Sequence, residues 1–350
     1  MVNNFKISRR GFLKRTSAVF GTSIIGKTGI SLASPKMIEP VEKSERLPRE
    51  VWTASVTLYN FRCKTIEERI ENMLKRMEEV VPFQPDIVCL TEIFPDAMVP
   101  GLPPIPERAE VVPGTIVKRF IEFAKKNNCY VICPLHTKKG EYVYNTAVLI
   151  GRNGNLVGEY HKIHPTESEM EGGVYPGPLE PPVFNTDFGK IGILICFDAN
   201  WPDKWHSLKS KGAEIVFFPT AFPGGYILNS LAWSNNYYIV SCPWSSEAII
   251  IDIMGQNVVE SGRLRPWICA PINLDIEVFH WDFQAKKLKS LEGKYGEKVK
   301  VKIYHPEALF TIESRSPDIT VPQLIKEFEL VTYAGYIKRA TQNQDKKRPR

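Results

Sequence analysis

From Val51 onward the sequence predicts an α/β fold in which a mixed sheet assembly is covered by helices, and three observations predict it. Short β-rich runs alternate with amphipathic helical ones. Several of the connections are tight hairpin turns, of which Asn153-Gly154 is the strongest. Neither an internal repeat nor a composition shift marks a second domain. Hairpins join antiparallel strands and helical crossovers join parallel ones, so the two together call for a mixed sheet.

Taken in order, residues 51–58 read as a strand and residues 65–80 as a helix with Ile66, Ile70, Met73, Leu74 and Met77 along one face. Residues 86–90 are a buried strand, 94–113 a Pro-rich loop, 115–127 a second amphipathic helix and 129–134 a strand. Residues 143–151 and 156–160 flank the Asn153-Gly154 turn. A Gly/Pro-rich loop over 167–182 leads to a second hairpin, 183–187 with 191–195, around Phe188-Gly189-Lys190. Then follow a short helix at 205–211, a buried strand at 214–218, a helix at 227–236 and a strand at 237–242. A hairpin of 248–252 with 257–260 turns over Met254-Gly255-Gln256.

The formal charge of +6 comes from the N-terminus. Residues 1–33 hold six of the 45 Lys and Arg and none of the acids, so the remainder carries 39 of each sign and nothing points to nucleic acid. Ser8-Arg9-Arg10-Gly11-Phe12-Leu13-Lys14 closely resembles a twin-arginine export signal. A weakly apolar stretch and the small residues around Ala33 follow it. That stretch is shorter than the roughly 20 apolar residues of a spanning helix, so no stable membrane insertion is expected after cleavage. The expected destination is the periplasm or another extracytoplasmic location.

Seven cysteines cannot all pair within one chain, and twin-arginine export carries proteins already folded in the cytosol; several lie within apolar runs and are expected as plain buried thiols. Cys129 and Cys133 fall on one strand, where four residues span about 13 Å, too far for adjacent ligands of one metal. His161 and His164 have no companion metal motif, and no metal site is expected.

Three strand-like runs end in groups that complement one another. The run Ile191 to Ile195 ends in Cys196 and breaks at once into Phe197-Asp198-Ala199-Asn200-Trp201-Pro202-Asp203, the way a fold presents a nucleophile at the rim of a sheet. Asp86 to Leu90 leads to Glu92, and Leu156 to Tyr160 leads to Lys162. A protonated thiol is a poor nucleophile, so Glu92 is the candidate base. The charge of Lys162 would favour thiolate or hold an oxyanion, and the Phe197 backbone N–H is a natural second oxyanion donor. Asp198 is expected to hold the turn after Cys196. Trp201 and Thr220 are candidate substrate contacts, with Trp201, Tyr226 and Trp233 each open between lining a pocket and packing.

These three contexts, with Tyr144-Asn145-Thr146-Ala147 before the lysine strand and Phe218-Pro219-Thr220 after the cysteine, resemble the signatures of the nitrilase superfamily of carbon-nitrogen hydrolases over residues 51–259. The resemblance implies a four-layer α-β-β-α sandwich, a homodimer or higher homo-oligomer, a small-molecule substrate and no cofactor. It also implies a second glutamate. Lys162-Ile163-His164-Pro165-Thr166-Glu167-Ser168-Glu169 matches Lys-x-x-Pro-Thr-x-x-Glu and points to Glu169 rather than Glu167 or Glu171.

The expected organisation is a signal peptide over 1–33, a linker over 34–50, a carbon-nitrogen hydrolase domain with a C-terminal extension over 51–341 and a disordered basic tail over 342–350. Phe197-Asp198 stands where nitrilases place Trp-Glu, which favours hydrolysis of a linear amide or N-carbamoyl compound through a Cys196 thioester over nitrile hydrolysis. Acyl transfer to an amine and a non-catalytic binding module are the competing readings.

Overall fold

The computed structural model describes residues 45–349 apart from 246, 263 and 264, so the export signal and most of the linker lie outside the described residues. One six-stranded sheet contains β1 (Glu50–Val56), β2 (Ile87–Leu90), β3 (Tyr130–Lys139), β4 (Tyr142–Ile150), β5 (Leu156–His161) and β12 (Trp267–Asn273), in the order β12-β1-β2-β3-β4-β5. The second contains β6 (Val183–Asn185), β7 (Lys190–Ile193), β8 (Ile215–Pro219), β9 (Tyr238–Cys242), β10 (Ile249–Ile251) and β11 (Asn257–Glu260), in the order β11-β10-β9-β8-β7-β6. Parallel pairs (β1 with β2, β2 with β3, β7 with β8, β8 with β9) sit beside antiparallel hairpins, the mixture that the connections demand.

The layers follow from which faces are apolar. Helix α1 (Ile66–Glu78) is capped by Thr65, whose side chain accepts from the Glu68 N–H, and buries Ile70, Met73 and Met77. With α3 (Thr115–Asn127), which buries Val117, Phe120 and Phe123, it packs on Trp52, Ala54, Val88 and Val131 of the first sheet. The opposite face of that sheet, with Val51, Ile87, Ile132 and Leu149, meets Ile191, Ile193 and Val240 of the second. Trp205 and Leu208 of α5 (Pro202–Ser210) and Leu228 and Leu231 of α6 (Tyr226–Asn235) complete the outer layer. The result is an α-β-β-α sandwich.

Several elements differ from expectation. The Pro-rich loop contains one helical turn, α2 (Ile105–Arg108), and the 167–182 loop opens with α4 (Glu167–Glu171), because Thr166 and Glu169 form a reciprocal cap. Beyond the second sheet a separate three-stranded sheet forms from β13 (Ile276–His280), β14 (Val299–Tyr304) and β15 (Leu309–Ser314), in the order β13-β15-β14. Helices α7 (Ala285–Tyr295) and α8 (Val321–Glu327) pack on it around Phe279, Phe310 and Leu324. The tail expected to be disordered from residue 342 is instead helical through residue 347, within α9 (Tyr333–Lys347). Thr332 caps that helix on the Gly335 N–H, and Lys346 and Lys347 sit in the last turn, where the helix dipole favours positive charge. Among the described residues no helix is long and apolar enough to cross a membrane.

Candidate active site

Strands β2, β3 and β5 of one sheet and β7, β8 and β9 of the other end at a common pole. Hydrogen bonds stitch the sheets there: Thr91 Oγ1 donates to the Thr220 carbonyl at 2.9 Å, Trp244 Nε1 to the Glu92 carbonyl at 2.7 Å, and the Cys242 thiol to the Val56 and Cys89 carbonyls at 3.3 Å each. Glu92, Lys162 and Cys196 each follow a strand that ends at this pole.

Six of the seven cysteines are buried, and Cys196 is the one partly exposed. It opens a short 3-10 helix, Cys196–Asn200, with φ of +48°, a left-handed backbone that costs an L-residue about 1–2 kcal/mol. Asp198 holds that turn. Fully buried, it accepts from the Ile195 N–H at 3.0 Å, the Tyr160 hydroxyl at 2.6 Å and both the N–H and Nδ1 of His164 at 2.9 Å. One carboxylate thus ties the Cys196 turn to the segment that carries Lys162. Ile93, directly after Glu92, also has positive φ, +38°, a marked outlier for a β-branched residue.

The four expected groups are brought together. Lys162 Nζ donates to Glu92 Oε1 and to Glu169 Oε2, both at 2.7 Å, with the lysine side chain 1% and Glu92 4% exposed. Of the three neighbouring acids, Glu169 is the one that reaches in; Glu167 and Glu171 are exposed. Asn145, within β4, is not among the side chains that the sequence alone marks for the site. It spans both carboxylates, donating from Nδ2 to Glu92 Oε1 at 2.9 Å and to Glu169 Oε1 at 2.7 Å. Its signal was the Tyr-Asn-Thr-Ala run, whose meaning depends on the β3–β4 register.

Burial and the adjacent Glu92 charge push the Cys196 thiol up to about 12, against the pull of Lys162 and of a hydrogen bond from the Ala221 backbone N–H. The resting group is therefore a thiol beside the Glu92 carboxylate, and the lysine charge does not make it a thiolate. Burial alone would lower Lys162, but Glu92, Cys196 and Glu169 override it and hold the ammonium firmly charged. Burial would likewise raise Glu169, and Lys162 with the Thr166 N–H and Asn145 holds its carboxyl below the usual range.

The outer residues divide. Trp201 lies flat on the His164 ring, 3.7 Å between centroids and 1° from parallel, and meets the edge of the half-exposed Phe197. Thr220 does not offer its side chain to a substrate: it is fully buried and its hydroxyl closes a turn with the Phe222 carbonyl and N–H, because the chain must bend sharply after β8. Tyr226 is 93% exposed. Among the described residues no group of three or more His, Cys, Asp or Glu is arranged to hold a metal ion.

Residues 54–266, more than half of the chain, match the carbon-nitrogen hydrolase family. This chain belongs to that family. Similar curated relatives include beta-ureidopropionase of Arabidopsis thaliana, 40% identical over 124 residues, 34% of this chain and 30% of the relative. Deaminated glutathione amidase of Synechocystis sp. is 30% identical over 158 residues, 38% of this chain and 58% of the relative, so the matched stretches cover less than two thirds of either protein. An amidase from Nesterenkonia sp. shares the fold with a TM-score of 0.58 at 17% identity, over 69% of this chain and 96% of the amidase. Nit3 of Saccharomyces cerevisiae, a member of branch 10 of the nitrilase superfamily, gives 0.57 at 20% identity over 71% and 95%.

Proposed function

We propose that this carbon-nitrogen hydrolase cleaves a small linear amide or N-carbamoyl compound through a thioester on Cys196. The observation that carries the reading is a partly exposed thiol on a left-handed turn, set beside a carboxylate that Lys162 and Asn145 hold in place. Glu92 Oε1 already accepts two donors, so its other oxygen is the one left for the thiol proton.

In acylation, Cys196 Sγ attacks the carbonyl carbon as its proton passes to Glu92, and the carbonyl π pair moves to oxygen. Lys162 has three N–H donors and spends two on the glutamates; the third, with the Phe197 backbone N–H, faces the oxyanion. The tetrahedral intermediate collapses, the C–N bond breaks, and Glu92 gives its proton to the departing ammonia or amine. Water then attacks the thioester with Glu92 again as base. The C–S bond breaks, the proton returns to Cys196 and the acid, or a carbamate from an N-carbamoyl substrate, leaves. The relatives' names include a ureidopropionase, amidases and nitrilases, so the preference for amide and carbamoyl carbonyls over nitriles rests on Phe197-Asp198 after the thiol. The twin-arginine pattern at residues 8–14 supports a site of action outside the cytoplasm.

The test is ammonia or amine release from a panel of linear amides, N-carbamoyl compounds and nitriles, with intact-mass detection of acyl-Cys196 during turnover. Cys196→Ala is expected to abolish both product and adduct. Unchanged release by that variant would refute the mechanism, and turnover confined to nitriles would refute the substrate class.

A further inference from the structure

His136 on β3 stands directly opposite Asn145 on β4, so the two side chains share one face of the sheet with Cβ atoms about 5 Å apart. On that face Asn145 already spans Glu92 and Glu169 through Nδ2. Its other amide atom, Oδ1, is buried and has no hydrogen-bond partner among the described residues. The same is true of His136 Nε2. Asn145 is 0% and His136 4% exposed, so bulk solvent satisfies neither atom.

The chemistry of the two orphans is matched. His136 Nδ1 lies 2.6 Å from Asp96 Oδ2, which also accepts from Arg108 Nε at 2.9 Å. Burial alone would raise Asp96, but His136 and Arg108 override it and keep the carboxyl below its usual range, hence ionised at neutral pH. An ionised Asp96 takes the Nδ1 proton as its hydrogen bond, and in the tautomer that carries its one proton there Nε2 is an acceptor. Asn145 Oδ1 is an acceptor as well. Two acceptors cannot satisfy each other, and a buried group with two donor hydrogens satisfies both. One water molecule has that valence and size.

We propose that His136 Nε2 and Asn145 Oδ1 together hold one buried water, and that the Asp96–His136 pair acts through it as a positioning device for Asn145 and hence for Glu92 and Glu169. The inference rests on the reading of these two glutamates as the working carboxylates. With Oδ1 fixed from behind, the amide keeps Nδ2 turned toward both carboxylates. Without that anchor it is free to rotate, and an oxygen facing two carboxylates repels them. Asp96 and Arg108 come from the loop after β2, so the loop that follows the base also braces it.

Two measurements test this. A crystal structure of the native protein at a resolution that places waters should show one within about 2.7–3.2 Å of both atoms; a dry gap or a direct His136–Asn145 contact overturns the proposal whatever the kinetics give. Steady-state kinetics on an accepted amide should show His136→Phe lowering kcat about tenfold with KM changed less than about twofold, as loss of one hydrogen-bonded anchor predicts. His136→Gln, which restores an acceptor, should recover most of the loss. The double variant His136→Phe/Asn145→Ala should be no slower than Asn145→Ala alone, because His136 acts only through Asn145. Losses that multiply in the double variant, a change confined to KM, or unchanged kcat in His136→Phe each overturn it. Failure of the catalytic reading would look different: Cys196→Ala would keep its turnover, and the water would still be decided by the crystal structure.

Discussion

Strand β2 carries a buried carboxylate at each end, and the two ends do opposite things. Asp86, just before the strand, accepts from the Trp52 N–H at 2.8 Å, from Arg152 Nη2 at 2.8 Å and from Arg46 Nη1 at 3.4 Å, while Arg152 also pairs with Asp187. Two arginines there meet two aspartates. Glu92, just after the strand, shares one lysine with Glu169, so that pole holds two carboxylates against one cation, with a thiol beside them. Guanidinium groups do not give up protons near neutral pH, and their planar forks lock carboxylates in place. Among the described residues, the Asp86 end sets its carboxylates against guanidinium groups that keep their protons. The Glu92 end has an excess negative charge and a proton to move, which is the condition for general-base chemistry.

The largest effect that separates the two poles is expected in Glu92→Gln. Turnover should fall by about 10²–10⁴-fold, the usual worth of a positioned base. Removing the Glu92 charge also removes a cause that raises the thiol, so Cys196 should alkylate faster with iodoacetamide at pH 8 than in the native protein. A variant that is slower in turnover and no more reactive at the thiol would mean that Glu92 does not set the cysteine's ionisation.

Next come stability changes, read by denaturant unfolding. Lys162→Met leaves two buried carboxylates facing each other and should cost about 3–5 kcal/mol along with activity. Arg152→Met leaves Asp86 its bonds to Trp52 and Arg46, and Asp187 is half exposed. It should cost about 1–2 kcal/mol and leave kcat/KM of the folded protein within about twofold. Equal losses of activity from both variants would erase the contrast between the poles.

The smallest effect concerns acid. The folded carboxyl of Glu169 lies below its ordinary 4.5, so its contribution is fully present above that pH and lost as pH falls through the lower folded value. The difference in unfolding free energy between the native protein and Glu169→Gln should accordingly narrow as pH drops below about 4.5. A pH-independent difference would show that the ion pair with Lys162 contributes nothing.

Legibility of the sequence tracked the range of the interactions. Glu92, Lys162 and Cys196 stand out because each ends a short apolar run, a pattern confined to a few residues. Helix 115–127 was read to the residue because its apolar spacing is also local. Glu169 was singled out from Glu167 and Glu171 by a family pattern, and the capping turn of α4 supplies the physical reason that it alone faces Lys162. The small C-terminal sheet went unread, although Val299–Tyr304 alternates as a strand does. A strand that short is stable only beside β15 and under α7, and neither pairing is written locally.

By itself, then, the sequence determined the order of strands and helices, the pole-facing ends of β2, β5 and β7, and the residue types gathered at the candidate site. Tertiary structure decided what those types do. It turned Thr220 inward to close a bend, placed Asn145 between two carboxylates across the β3–β4 register, and set a half-buried thiol against an anion so that its resting form is protonated. The reason is physical: periodicity and turn chemistry act over a few bonds, whereas burial, charge pairing and register are properties of groups that meet only once both sheets have closed.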